Sequence, residues 1–308
     1  MKLLDLQTPH GQLLRERLQP YIEEATSPAT RKAYKNVLRH FKDWGGILPA
    51  TVEMVADYLA AHAETLTPAT LQKHLAALSR AHDTVGLPNP VKTELVRLTL
   101  RGIRRKRGTA QRQVKALVKE DILHILSGME DSVKATRDAA LLLAGFAGAF
   151  RRSELVALNV EDLEFVPQGV LINLKRSKTD QEGQGRRIAI PYGRGHVCPV
   201  RSLREWIAAA GLVAGPLFRR IGKGGQVRPS RLTDQSVALI IKERAEAVGL
   251  RANDLSGHSL RAGLATSSAQ HGVRVDKIRQ QTGHASDTML ARYIRDGNIW
   301  TENAAGIF

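Results

Sequence analysis

The sequence predicts a mainly α protein in two parts: an N-terminal helical bundle, then a mixed α+β domain with a small antiparallel sheet. Three observations predict it. Capped helical patterns fill the first hundred residues. A basic run without any acid spans Arg101 to Lys115. Beyond that run, alternating β-rich stretches stand between further helical ones. The 308 residues suffice for two domains on a prior of ~150 residues each. Hydrophobic residues make up 43 %, enough to bury a core, which excludes global disorder, collagen and a coiled-coil rod.

Two helices of the first part open alike, with SPAT at Ser27 and TPAT at Thr67. A hydroxyl at the N-cap satisfies an orphan N–H, and proline at the first helical position lacks the N–H that would be orphaned. The first helix runs to Gly45-Gly46 with an expected inward stripe of Ala33, Val37, Phe41 and Trp44; the second turns Leu71, Leu75, Leu78 and Ala81 or His82 inward. A further helix is expected around Val52 to Ala63, and another after Pro90. The stretch RGIRRKRGTAQRQVK holds seven Lys or Arg. It reads as the end of a helix followed by an extended basic linker, either a solvated hinge or an arm that tracks a phosphate backbone. The expected boundaries are residues 1–106, a linker at 107–116, and 117–308.

In the second part, helices are expected near Lys119–Ser127, Lys134–Ala149 and Arg151–Leu158. The runs LEFV, VLINL and RRIAI, separated by turn residues, predict the antiparallel sheet, with a long polar hairpin loop, SKTDQEGQG. Helices resume near Pro199–Ala210, Thr233–Val248, Ser259–His271, Val275–Gln281 and Ser286–Ile294. The glycine-rich GKGG at Gly222–Gly225 does not open a helix after a strand and reads as a plain loop.

The formal charge of +16 points to a polyanionic partner, most simply nucleic acid. One cysteine, Cys198, excludes an internal disulfide and fits a reducing cytosol. The longest apolar run, Ala139 to Phe150, is too short for a membrane span, which needs ~20 residues, and the N-terminus shows no signal-peptide core. A cytoplasmic protein that does not touch membranes is expected. There is no Walker-type loop, no HExxH and no Cys/His metal spacing, so no cofactor and no metal are expected.

Four local patterns offer chemistry: Arg151 and Glu154 one helical turn apart in AGAFRRSELVAL; Lys178 in the hairpin loop; His258 and Arg261 on one helix face in SGHSLRAG; and His284 followed by Tyr293 in TGHASDTMLARYIR. Each alone has a bland reading: a surface ion pair, a solvated lysine, a cap, a core tyrosine. Arg152 competes with Arg151 if the register is off by one.

Together and in this order, the four patterns supply the five elements (the Arg151 segment, the hairpin Lys178, the H-x-x-R of His258 and Arg261, the G-H at His284, and Tyr293 nine residues on) that resemble the signature of the tyrosine recombinases, or phage integrases. The GIRRKR, RSKT, SGHS and YIR strings are similar to the Cre-like branch, although His284 stands where Cre has Trp. The resemblance covers nearly the whole chain. It implies a SAM-like core-binding bundle that clamps DNA, followed by a catalytic domain. The activity it implies is site-specific DNA recombination through a 3′-phosphotyrosyl intermediate. It assigns Tyr293 as nucleophile, Arg151 and Arg261 as phosphate ligands, and His258 and His284 as hydrogen-bond donors or proton handlers. Lys178 becomes the general acid, and Glu154 the residue that orients the cationic pocket. The physics agrees: a five-coordinate phosphorus gathers negative charge that forked guanidiniums suit, and a phenol of pKa ~10 must lose its proton as it attacks.

The implied partners are duplex DNA with inverted repeats and three further copies of the chain. Two sites would synapse in a homo-tetramer joined by exchange of the C-terminal tail after Tyr293. In the family the helix matching the one near Thr233 enters the major groove, so Gln235 is a candidate to read an adenine edge and Arg231 to contact phosphate or guanine, with Arg228 beside it. Lys35, Arg39, Lys73, Arg104, Arg105 and Arg107 are the other DNA-binding candidates, mostly toward phosphate. Two other readings stand: a type IB topoisomerase-like relaxing enzyme, and a non-catalytic architectural DNA-binding protein.

Overall fold

The computed structural model describes residues 16–18, 20–21, 24–109, 114–175, 185–193, 195, 197–284, 287–297 and 305. It divides into two compact units, Met1–Arg112 and Gln113–Phe308. Among the described residues no helix is long and apolar enough to cross a membrane.

Among the described residues the first unit packs four long helices: α1 (Pro28–Asp43), α2 (Val52–Ala61), α3 (Pro68–Val85) and α4 (Glu94–Arg107). The two S/T-P openings act as caps. Ser27 Oγ accepts from Thr30 N, and Thr67 Oγ1 from Thr70 N, each at 3.2 Å. Gly86 closes α3 in the left-handed conformation, where a β-carbon is costly. Phe41, Val55, Tyr58, Leu59, Leu71, Leu75, Leu78, Val96 and Leu100 form the core. Ala33 departs from the expected stripe. It is exposed, while Val37 and Leu38 are half-buried and Phe41 is buried, because packing covers only the second half of α1.

The second unit is built around a largely buried helix, α6 (Val133–Ala147), with α5 (Lys119–Ser127), α7 (Arg152–Ala157) and α8 (Pro199–Ala209). Strands β1 (Leu163–Val166), β2 (Gly169–Leu174) and β3 (Arg186–Pro191) form one antiparallel sheet, in register at Leu163↔Ile172 and Ile172↔Ile188. Alternation along β3 buries Ile188 and Ile190 and exposes Arg187. A second hairpin, β4 (Arg219–Ile221) with β5 (Val227–Arg231), was not foreseen. Its strands are short and charged, without an apolar alternation to announce them, and Gly222–Gly225 is their turn.

Four helices complete the unit: α9 (Asp234–Glu246), α10 (Ser259–Gln270), α11 (Val275–Thr282) and α12 (Asp287–Gly297). A buried cluster fastens α9 to α6. The Asp138 carboxylate receives Arg137 on one oxygen, at 2.6 and 2.9 Å, and Arg244 on the other, at 2.8 Å. Such a cluster fixes a unique arrangement, at a cost in desolvation. Gly263 of α10 lets the incoming chain pass close by: a β-carbon there would lie 1.7 Å from Leu117 O.

Candidate active site

The site begins where α6 stops. The N–H groups of Ala149 and Phe150 return to Phe146 O and Gly145 O, the paired bonds of a Schellman stop, but with Ala149 (φ 49°) in the position glycine usually takes. A non-glycine residue held left-handed costs roughly 1 kcal/mol and is often found beside functional groups. Here the turn presents two groups: the Ala149 carbonyl, and Arg151 at the head of α7.

Arg151 N donates to Glu154 Oε2 at 3.0 Å, and its Nη1 to Oε1 at 2.5 Å, while Nη2 reaches Gly283 O at 3.5 Å. Glu154 is buried, so its carboxylate both caps α7 and holds the guanidinium in one orientation. Arg152 points elsewhere, pairing with Asp234 at 3.0 Å on the exposed side; of the two neighbours, Arg151 joins the cluster. From α10 comes Arg261, 1 % exposed, whose Nη1 donates to Ala149 O at 2.9 Å and whose buried Nε has no partner among the described residues. Burial and then the charge of Arg151 push the Arg261 guanidinium down to about 10, with Glu154 and the Tyr293 phenol acting the other way. Tyr293 therefore lies within electrostatic reach of Arg261 in the same chain.

A third guanidinium, Arg186 at the start of β3, was read from sequence only as part of a strand. It acts electrostatically on both Arg261 and His284. Three guanidiniums against one buried carboxylate leave a surplus of two positive charges, which an anion would neutralise. The doubled arginine at the hairpin's foot was the available signal, but ordinary strand alternation explains only Arg187.

His284 is buried behind the C-terminus of α11. Its Nδ1 lies 2.8 Å from Thr282 Oγ1, and that hydroxyl donates to Ile278 O at 2.8 Å. With its single proton so placed, Thr282 accepts from Nδ1–H, leaving Nε2 of the neutral ring as an acceptor. Burial first, and then the charges of Arg261, Arg151, His258 and Arg186, push His284 down to about 4. An anion among those cations would raise it again. The Tyr293 ring centroid is 5.9 Å from that of His284, and the ring packs against Ala265, Ala269, Ile278 and Leu290. His258 stands exposed at the head of α10, its N–H held by Ser256 Oγ at 3.0 Å. Five of the seven expected catalytic positions, Arg151, Glu154, Arg261, His284 and Tyr293, thus converge, with His258 at the rim; Lys178 lies outside the described residues.

The expected DNA contacts divide. In the first unit, exposed Lys35 and Arg39 line a cleft of about 570 Å³ together with Arg31, Lys42 and Arg80. Lys73 is exposed on α3, and Arg105 on α4. Arg104 bonds Gln72 Oε1 at 2.8 Å, and Arg107 bonds both the carbonyl and the carboxylate of Glu64. In the second unit Gln235 is exposed in the first turn of α9, and Arg228 is exposed on β5. Arg231 is half-buried and bonded within its own unit. Its Nη1 donates to Val156 O and, at 2.9 Å, to Leu158 O, and its Nη2 donates to Asn159 Oδ1 at 2.6 Å. Those bonds brace β5 against the end of α7.

A model of the phage integrase family matches residues 115–298. The chain is 41 % identical over 294 residues to the integrase/recombinase xerD homolog of Selenomonas ruminantium, covering 92 % of this chain and 86 % of that one. To recombinase cre of Escherichia phage P1 it is 29 % identical over 307 residues, covering 92 % and 88 %. Solved structures share the fold, among them the following two. A lambda integrase tetramer bound to a Holliday junction has a TM-score of 0.63 at 18 % identity, covering 95 % of this chain and 79 % of that one. The post-cleavage complex of XerH recombinase with palindromic difH substrate has 0.62 at 20 %, covering 83 % and 72 %.

Proposed function

This chain belongs to the phage integrase family and is a tyrosine recombinase, a DNA strand-transferring enzyme; from that premise we propose that it cleaves and rejoins DNA at inverted-repeat sites through a 3′-phosphotyrosyl intermediate, as a tetrameric synapse. The observation that carries this reading is the placement of Tyr293 beside His284 and Arg261, in a pocket with a surplus of positive charge.

In this mechanism Arg151 and Arg261 bind the non-bridging oxygens of the scissile phosphate, and the forked guanidinium geometry makes both charges available without reorganisation. Tyr293 Oη forms a bond to phosphorus as the P–O5′ bond breaks, leaving a 3′-phosphotyrosyl strand and a free 5′-hydroxyl. The phenol's proton passes to an imidazole, His284 or His258, and Lys178 protonates the departing O5′. Religation runs the same steps backward with a 5′-hydroxyl as nucleophile. The phosphodiester energy is conserved in the tyrosyl ester, so no further energy source enters.

In this reading the first unit is the core-binding domain and the second the catalytic one. Lys35, Arg39 and Lys73 meet phosphates in the first unit, and Gln235 reads a base from the first turn of α9. The apolar tail that follows Gly297 seats in a neighbouring copy. Its receptor on the second unit is an apolar cavity of about 520 Å³ whose walls include Phe146, Ile190, Leu264 and Ile278. A lambda integrase tetramer on a Holliday junction is among the proteins of this fold.

Trapping tests the reading. A nicked suicide duplex built from the inverted repeats nearest the gene is expected to leave a protein–DNA adduct whose linked peptide contains Tyr293. An adduct on another residue, or no adduct on any repeat, removes the assignment.

A further inference from the structure

Arg186 is the first residue of β3, so it closes the loop that carries Lys178. Its side chain does not run out into solvent as that of Arg187 does. Nη1 donates to Gln281 O at 3.2 Å and Gln280 O at 3.4 Å, the carbonyls at the end of α11. A guanidinium suits that place because the last carbonyls of a helix have no intrahelical donors and carry the negative end of its dipole.

The helix stops there on Gly283, in the left-handed conformation (φ 63°), and a β-carbon on that glycine would lie 2.1 Å from Arg186 Nη1. Guanidinium and glycine therefore fit each other. One residue further along stands His284. Gln281 Nε2 adds bonds to Ala147 O at 2.8 Å and Ala189 O at 3.2 Å, so the same turn is tied to α6 and β3. Arg186 Nη2 is buried and has no partner among the described residues. Burial weakens the charged form of Arg186, Glu154 supports it and Arg151 opposes it. The fold thus retains a half-buried cation with one buried, unpartnered edge, an arrangement that costs stability unless an anion arrives.

We infer that Arg186 is a positioning residue for strand transfer: by gripping the carbonyl end of α11 from the foot of the hairpin, it sets the Thr282–Gly283–His284 turn that presents His284 to Tyr293 and the reacting phosphate. The inference rests on the strand-transfer reading of the site. Arg151 and Arg261 would hold the phosphate, and Arg186 would hold the histidine that serves it. A misplacement of about 1 Å at a reacting group can cost roughly 10²-fold in rate, so its loss should register in chemistry rather than in DNA affinity.

The test is single-turnover cleavage of a suicide duplex, with binding of the uncleaved duplex measured alongside, for the unaltered protein, Arg186→Ala, His284→Ala and the double variant. Arg186→Ala is expected to cleave roughly 10²-fold more slowly while binding the duplex within about threefold. The double variant should be no slower than His284→Ala alone, because the two residues act as one unit. Arg186→Lys, which keeps a charge but cannot fork, provides the same cycle should the alanine variant melt early, and is expected to lie between the two. Cleavage by Arg186→Ala at the unaltered rate overturns the inference. So does a double variant whose loss is the product of the single losses, since Arg186 would then act independently of His284. Absence of any covalent adduct with the unaltered protein is a different result and sinks the strand-transfer reading itself.

Discussion

Each unit holds a tyrosine beside histidines, and the two differ in what surrounds them. In the N-terminal bundle Tyr58 is fully buried. Its hydroxyl sits 2.7 Å from His40 Nδ1 and 2.6 Å from His74 Nδ1, and burial pushes its phenol up to about 12. In the second unit Tyr293 is half-buried, 5.9 Å in ring-centre distance from His284, and within electrostatic reach of Arg261. Both histidines, His74 and His284, are pushed down to about 4. For His74 the causes are burial and then the neighbouring imidazoles His40 and His62; for His284 they are burial and then guanidiniums. A buried tyrosine held between a buried imidazole and one at the surface is a structural bolt. A tyrosine beside an imidazole and surplus fixed cations is placed where an anion would be drawn, and in the proposed strand transfer it is the nucleophile.

The largest expected contrast is between the two phenylalanine variants. Tyr293→Phe should abolish the covalent complex on a suicide duplex while leaving duplex binding intact. Tyr58→Phe should still form the complex but lose about 1–3 kcal/mol of stability, because His40 and His74 are left without their shared partner; thermal melting reads that loss. An adduct with Tyr293→Phe would erase the distinction. Next in size, Arg261→Ala should slow cleavage roughly 10²–10³-fold, the scale of losing one preorganised donor at a developing negative charge. Arg231→Ala, which removes the bonds to Val156 O, Leu158 O and Asn159 Oδ1, should instead lower the melting temperature.

The two histidines sharpen the comparison further. Because His74 titrates lower in the folded bundle than its ordinary 6.5, the folded state binds fewer protons than the unfolded chain. Stability is therefore complete above about pH 6.5 and declines as pH falls toward 4, by about 3 kcal/mol from this group. Melting scans from pH 7.5 to 4.5 should show that decline, and His74→Gln should flatten it. His284 begins equally low, but a bound phosphodiester should draw it upward. NMR titration with uncleavable duplex should move His284 and leave His74 in place; equal movement would mean the pocket has no special claim on anions. Smallest of all, Ser27→Ala and Thr67→Ala should each cost about 1 kcal/mol of melting stability by removing a cap, with no effect on cleavage.

Much of this was legible in the linear chain. The capped helices, the Lys119–Ser127 helix and the three-stranded sheet appear where periodicity and turn residues place them, because those signals are local. The family resemblance was legible too, since it rests on an ordered set of residue types. Less legible were features decided by partners far away. Ala33 has helical spacing yet no neighbour to bury it. The β4–β5 hairpin has no apolar alternation. Arg231 looked free in sequence and is bonded to carbonyls some seventy residues earlier.

The chain by itself determined the helix starts, the strand alternation, the surplus of basic charge and the set of groups available to a phosphodiester, because caps, periods and charges act over a few residues or over all of them. Only the tertiary structure decided which of two adjacent arginines turns inward, which tyrosine is bolted and which faces cations, and that Arg186 reaches from a strand to the end of a distant helix. Those outcomes depend on burial and on carbonyls brought close by folding, and in a low-dielectric interior a few ångströms separate a solvated charge from a working one.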